Sequence, residues 1–251
     1  MKNTFDMRLA NEPFEKIQCK EKTVEIRLND EKRREIKVGD QIFFHQLSNE
    51  DNVIIATVSA LHRFDTFQQL LSSSLFSKTG SGDRTTALAT EYMYRFYSKE
   101  QEQKYGVLGI EIEYDDNLSF VYAMLKVNYS DCIVKDDDLR WFAAILNDSV
   151  FVEKCDLDEI FNIVYECEEY MRGEGAVIEV RQQYSIYGDI IQYLDCNEEN
   201  AKRLYECFLW FNDPLAFGLL MGKYKEWITP QQRLEILSIA CECFTESAWE
   251  N

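Results

Sequence analysis

The sequence predicts an α+β protein: a small β-barrel with flanking helices, followed by a mostly α-helical domain. Alternating and β-branched segments crowd the first half, whereas helical spacing of apolar residues dominates the second. Charge breaks at the same place. Residues 1–114 carry 16 Lys+Arg against 18 Asp+Glu, and residues 115–251 carry 11 against 27. With 10 Gly and 3 Pro in 251 residues, the chain has too few turn formers for an all-β architecture. The polar stretch Tyr114-Asp115-Asp116-Asn117 is the expected seam, giving domains over 1–114 and 115–251.

The elements follow in order. Thr23 to Leu28 alternates, so Val24, Ile26 and Leu28 should face a core, with Thr23, Glu25 and Arg27 projecting from the other face. Asn29-Asp30 is a turn signal before the charged run Glu31 to Glu35. Ile36 to Phe44 reads as strand, Gly39-Asp40 turn, strand, and Asn52 to Leu61 as a β-branched strand. Thr66 to Leu71 suggests a short helix entered through Asp65, Ser72 to Asp83 a mobile loop, and Thr86 to Phe96 a helix. Ser98 and Gln101 have the form of a capping box, Gly106 should end the helix they open, and Val107 to Glu113 returns to a strand. Asn117 to Val127 fits a strand or a buried helix equally.

Beyond it, Asp156 should cap a helix over Leu157 to Met171, and Ala176 to Leu194 should be helical with an interruption at Gly188. Asn197, Asp213-Pro214 and Thr229-Pro230 mark further helix starts, the last with Leu234, Leu237, Cys241 and Phe244 on its core face.

Composition also excludes function classes. No run of eighteen apolar residues exists, and the first twenty residues lack a secretory apolar region. Eight cysteines at scattered spacings, without CxxC, are expected to be reduced and mostly buried in a cytoplasmic protein. The two histidines, His45 and His62, fit no metal or triad pattern, and Gly80-Ser81-Gly82 is no phosphate loop, so no cofactor or metal is expected.

The order and spacing of Glu21 to Asp30, Ile36 to Phe44, Leu61 to Phe64 and Tyr97 to Ile112 resemble the ASCH domain family over residues 1–114. The resemblance implies a PUA-like barrel whose cleft faces RNA or a modified nucleoside. The family signature places a Gly, then a Lys, then an Arg five residues later. Lys22 and Arg27 match, while Lys20 or Glu21 stands at the Gly position. One branch of the family hydrolyses the acetyl amide of N4-acetylcytidine with the Lys, a Thr three residues on and a helical Glu. Here the Thr position is Glu25, Thr23 lies two residues earlier, and Ser72-Ser73-Ser74 occupies roughly the place of the Glu.

The candidate catalytic set is therefore Lys22, Glu25 and Thr23. The candidate ligand-binding set is Arg27, Asn29, the basic residues Lys32, Arg33, Arg34 and Lys37 at the cleft rim, and His62 with Arg63 at a strand end. Strict alternation puts Lys22 on the Val24 side, so it reaches the cleft only if the chain bends at Lys22-Thr23. Desolvation beside Arg27 would favour the neutral amine, a base or nucleophile; a nearby carboxylate would favour the ammonium. Tyr92, Tyr94, Phe96 and Tyr97 are stacking candidates or core. Three functions fit: RNA or nucleoside binding, amide hydrolysis on an N4-acetylcytidine-like nucleoside, and a non-catalytic role in which the acidic helices bind a protein partner.

Overall fold

The computed structural model describes residues 3–178 and 183–246. The chain divides into two compact units, residues 1–119 and 120–251.

In the first unit five strands form one sheet: β1 (Thr4–Leu9), β2 (Val24–Leu28), β3 (Gln41–Gln46), β4 (Asn49–Phe64) and β5 (Val107–Asp115). Their spatial order is β1-β3-β4-β5-β2; β1 and β3 run parallel and the other pairs antiparallel. A register shift between Val58 and Ala60 bends the sixteen-residue β4. The sheet thereby curls into a half-barrel whose two edges are β1 and β2. Helix α1 (Asn11–Gln18) closes one side through Phe14 and Ile17, both buried against Met7, Ile42, Phe44 and Ile54. Helices α2 (Phe67–Leu71) and α3 (Thr86–Met93) cover the other, where Phe67, Leu70, Leu71 and Ala89 pack on Ile26 and Leu28. The expected capping box at Ser98 and Gln101 opens α4 (Lys99–Tyr105), and Gly106 ends it at φ +70°, where an added Cβ would meet the Phe64 carbonyl at 2.9 Å.

Several expectations need correcting. Thr4–Leu9 and Asn11–Gln18 carry a strand and a helix that the reading of the first twenty residues passed over. Ile36 to Val38 is not a strand; a short 3₁₀ turn (Arg33–Glu35) precedes it, and Asp40 Oδ2 accepts from the Lys37 N–H at 2.8 Å, so the polar turn chemistry wins. Thr66, not Asp65, caps α2, its hydroxyl accepting from Gln69 N–H at 3.1 Å. Ser72 to Asp83 contains a 3₁₀ turn (Ser74–Lys78) capped by Ser73. Tyr114 to Asn117 is no loop: β5 runs to Asp115 and α5 (Asp116–Asn128) starts at the next residue.

The second unit is helical: α6 (Asp136–Asn147), α7 (Glu159–Gly173), α8 (Gln183–Tyr193), α9 (Glu198–Phe211), α10 (Pro214–Met221) and α11 (Pro230–Glu246). Asn197 and Asp213 cap α9 and α10 as expected. Gly188 lies inside α8 without interrupting it, and residues 179–182 of the expected 176–194 helix lie outside the described residues. In α11 the core phase differs from expectation: Leu234 and Leu237 are exposed while Ile236 and Ala240 are buried. The expected core side chain of Phe244 lies outside the described residues. Glu168, fully buried, accepts from the Tyr129 hydroxyl at 2.8 Å and faces Arg172 at 3.3 Å. Among the seven described cysteines only Cys167 and Cys207 are buried, so packing does not account for most of them. No described helix is long and apolar enough to cross a membrane, and no described cluster could hold a metal ion.

Lys20, at φ +61°, turns the chain from α1 into β2 and occupies the left-handed region that a Gly would fill without strain. A Cβ costs about 1–2 kcal/mol there, and the exposed Lys20–Asp116 pair at 3.7 Å is worth little. Lys20→Gly is therefore expected to stabilise the unit by about 0.5–1 kcal/mol after the entropy lost to Gly. Chemical denaturation of both proteins checks this; a lower midpoint for Lys20→Gly contradicts it.

Candidate nucleobase cavity

The turn at Lys20 also supplies the bend that Lys22 needed. Lys22 lies before β2, in an isolated bridge opposite Thr79, and its side chain enters the same cavity as Glu25 and Arg27. Lys22 Nζ donates to Val24 O at 2.8 Å and Thr79 O at 3.1 Å, and stands 3.3 Å from Glu25 Oε2. Two carbonyl acceptors and the Glu25 carboxylate at ion-pair distance surround Nζ, so the side chain is held in place on the cavity floor. Gly80, at φ +71°, lets the neighbouring loop pass: an added Cβ would meet Lys22 Cβ at 3.0 Å and Lys16 Cδ at 3.2 Å.

Glu25 is 4% exposed and lies between two cations, with Oε1 3.1 Å from Arg27 Nε. Neither Glu25 Oε2 nor Arg27 Nε makes a hydrogen bond of good geometry, although both lie within ion-pair distance of a partner. The pair contacts are real electrostatically but leave hydrogen-bonding capacity at the cavity floor. Arg27 Nη1 donates to the Tyr97 hydroxyl at 3.2 Å, and Nη2 to the Arg8 carbonyl at 2.9 Å. Burial opposes the Arg27 charge, but Glu25 and Tyr97 outweigh it and hold the guanidinium above its ordinary value. Because Arg8 is on β1 and Arg27 on β2, this last bond crosses the open seam between the two edge strands.

The cavity holds about 370 Å³. Besides the charged floor, its walls come from Leu9, Ile26, Leu71, Tyr92, Met93 and Phe96. Phe96 meets the edge of Tyr92 at 5.2 Å, and the Arg84 guanidinium lies 4.3 Å over the Tyr92 ring. Lys16 Nζ ties the rim together, donating to Gly80 O and to Glu12, both at 2.8 Å. A second concavity of about 550 Å³ shares Arg8 and Arg27 with the first and adds Lys32, Arg33 and His45, with Asp6 and Glu50.

The structure thus brings together Lys22, Glu25 and Arg27, and joins Lys32 and Arg33 to them through the second concavity. The other candidates lie apart from both. Thr23 gives its backbone to Lys78 and Ile112 and lines neither space. Asn29 and Arg34 bond each other, Arg34 Nε donating to Asn29 O at 2.8 Å, and Lys37 is exposed beside Asp40. His62 Nε2 faces Glu111 at 3.0 Å. Lys78 and then His62 hold that carboxyl below the usual range, and Arg63 is exposed on the same strand. Tyr94 turns away to donate to Glu102 at 2.9 Å, packing edge-on against Phe67.

The sequence reading missed Arg8, Lys16, Arg84 and the wall made by Thr79 and Gly80. The alternation of Phe5, Met7 and Leu9 was the available signal for β1, and it places Arg8 opposite the core face. Nothing local points to Thr79 and Gly80, whose role depends on a pairing 57 residues away in sequence.

The ASCH domain family model matches residues 7–114. Among solved structures, the hypothetical protein PH0355 is similar at 32% identity, covering 45% of this chain and 99% of its own, with TM-score 0.41. Protein PF0455 from Pyrococcus furiosus is similar at 31% identity, covering 45% and 98%, with TM-score 0.38. ASCH from Zymomonas mobilis is similar at 18% identity, covering 44% and 67%, with TM-score 0.28. No curated protein matches the chain.

Proposed function

Because the chain belongs to the ASCH domain family through residues 7–114, we propose that its first unit binds RNA or a modified nucleoside, seating one base over Lys22, Glu25 and Arg27. The observation that carries this reading is the meeting of those three charged side chains on the floor of a cavity otherwise walled by aliphatic and aromatic groups. Small-ligand sites combine these two features: apolar walls supply affinity, and a few placed polar groups fix orientation. A carboxylate accepts from an exocyclic base amine, and the two cations donate to ring or carbonyl acceptors. Tyr92 and Phe96 offer faces for stacking. The acidic excess of residues 115–251 disfavours a phosphate backbone, which confines the reading to the first unit.

Calorimetry of the full chain with the common nucleosides and a short single-stranded RNA tests the reading. Tyr92→Ala should weaken binding roughly tenfold or more, from the loss of one stacked base, and Tyr92→Phe should restore it. Absence of binding, or binding indifferent to Tyr92→Ala, counts against the cavity.

A second reading, hydrolysis of an N-acylated pyrimidine nucleoside, draws on Lys22 and Glu25 facing one cavity. The engagement of Lys22 Nζ by two backbone carbonyls, with Glu25 at ion-pair distance, favours binding without turnover. Release of cytidine from N4-acetylcytidine by the wild type and not by Lys22→Met would reassign the cavity to catalysis.

A further inference from the structure

Two concavities share a wall: the first sets aliphatic and aromatic sides over a charged floor, and the second is lined almost wholly by charged side chains. Together they suit a ligand with a flat ring at one end and an anion at the other. We propose that the second concavity is a phosphate subsite, so that the ligand class is a nucleotide: base in the cavity of Lys22 and Glu25, phosphate against Arg8, Arg27, Lys32 and Arg33. This rests on the base-binding reading above and extends it from nucleoside to nucleotide.

Charge favours an anion in the second concavity. Four guanidinium and ammonium groups line this space against two carboxylates. Glu50 holds Arg8 at 3.2 Å, and Asp6 is engaged by His45 Nε2 at 2.7 Å. Arg33 leans on Asp30 at 2.6 Å, outside the lining, which orients its fork without filling it. Lys32 is exposed and makes no ion pair among the described residues. An anion placed here gains the Lys32 ammonium, unpaired among the described residues, and several prepositioned donors.

The two spaces are also connected. Arg27 and Arg8 belong to both linings. Arg27 turns Nη1 to Tyr97 on the aromatic side and Nη2 to the Arg8 carbonyl at the seam, so one guanidinium is fixed where base and phosphate spaces meet. Rim residues expected to take phosphate, Arg34 and Lys37, lie outside this lining, which narrows the subsite to Lys32 and Arg33 within the basic run.

The test measures the full chain against each nucleoside, its 5′- and 3′-monophosphates, and a short single-stranded RNA. The monophosphate should bind at least tenfold tighter than its nucleoside at low salt. Raising salt should erode that preference while leaving the nucleoside constant nearly flat. Lys32→Ala/Arg33→Ala should bring the ratio of nucleoside to monophosphate dissociation constants toward one. Lys32→Glu, at an exposed position that cannot unfold the turn through Asp30, should do the same. Lys37→Ala/Arg63→Ala removes the same charge from outside both spaces and should keep the ratio. A preference for RNA over every monophosphate, lost in the same variants, assigns the subsite to a backbone phosphate; a preference for one monophosphate assigns it to a free nucleotide. Equal binding of nucleoside and nucleotide, or a ratio that survives Lys32→Glu, overturns the subsite and leaves the base reading standing. Failure of every nucleoside and nucleotide to bind overturns both.

Discussion

Glu25→Ala is expected to destabilise the first unit by about 3–5 kcal/mol, the range for removing one partner of a buried ion pair. Glu25 is the single anion between Lys22 Nζ at 3.3 Å and Arg27 Nε at 3.1 Å, and all three side chains are largely shielded from water. Without it two cations face each other across a shielded floor. Lys22 retains two carbonyl acceptors, and Arg27 keeps Tyr97 and the Arg8 carbonyl, which places the expected loss toward the lower end. A midpoint decrease of roughly 10 °C should accompany it. All four tryptophans lie beyond residue 140, so their fluorescence reports the second unit, whereas hydrogen exchange of the β-strand amides reports the sheet of the first. The loss should appear in the sheet signal. Glu25→Gln keeps the shape but not the charge and should cost less. If Glu25→Ala unfolds at the wild-type midpoint, the charged floor is not the structural unit described.

Arg27→Ala is expected to weaken nucleoside or RNA binding by roughly 10–100-fold, the loss of one or two hydrogen bonds from a charged donor. Arg27→Lys should recover only part of this, because a point charge replaces a planar fork that reaches Tyr97 and Arg8 together. The measurement is the dissociation constant for the best-binding nucleoside and for a short RNA. Wild-type affinity in Arg27→Ala would remove the guanidinium from the site. A stability loss without an affinity loss would make it a structural bridge only.

How far the sequence reaches is visible in β2 and its neighbours. The alternation of Val24, Ile26 and Leu28 was legible in part: all three are buried and Glu25 and Arg27 share the cavity, but Ile26 lines that cavity too and Thr23 does not. What alternation could not show is that the Glu25 face is also covered, because the covering groups come from α1, α3 and the Thr79–Gly80 loop. The apolar period of β1 is as regular as that of β2. Its charged residues Asp6 and Arg8 and its position before any other strand hid it, since its partner β3 begins 37 residues later. Helix α11 shows a different failure. Leu234 and Leu237 are large and correctly spaced for one face, yet the unit buries Ile236 and Ala240, so tertiary fit selected another face of the same helix. Loop residues 72–83 read as mobile because Ser and Gly are abundant; the same small residues allow close passage beside Lys22.

The seam between β1 and β2 has a consequence for the protein in solution at high concentration. Each edge strand carries main-chain groups without a neighbouring strand, the template on which another molecule can build an intermolecular sheet. Here the Arg27 side chain crosses to the Arg8 carbonyl and takes up one such acceptor. Occupancy by a nucleotide would shield the same rim, so precipitation and cross-strand oligomer formation should diminish as the site fills.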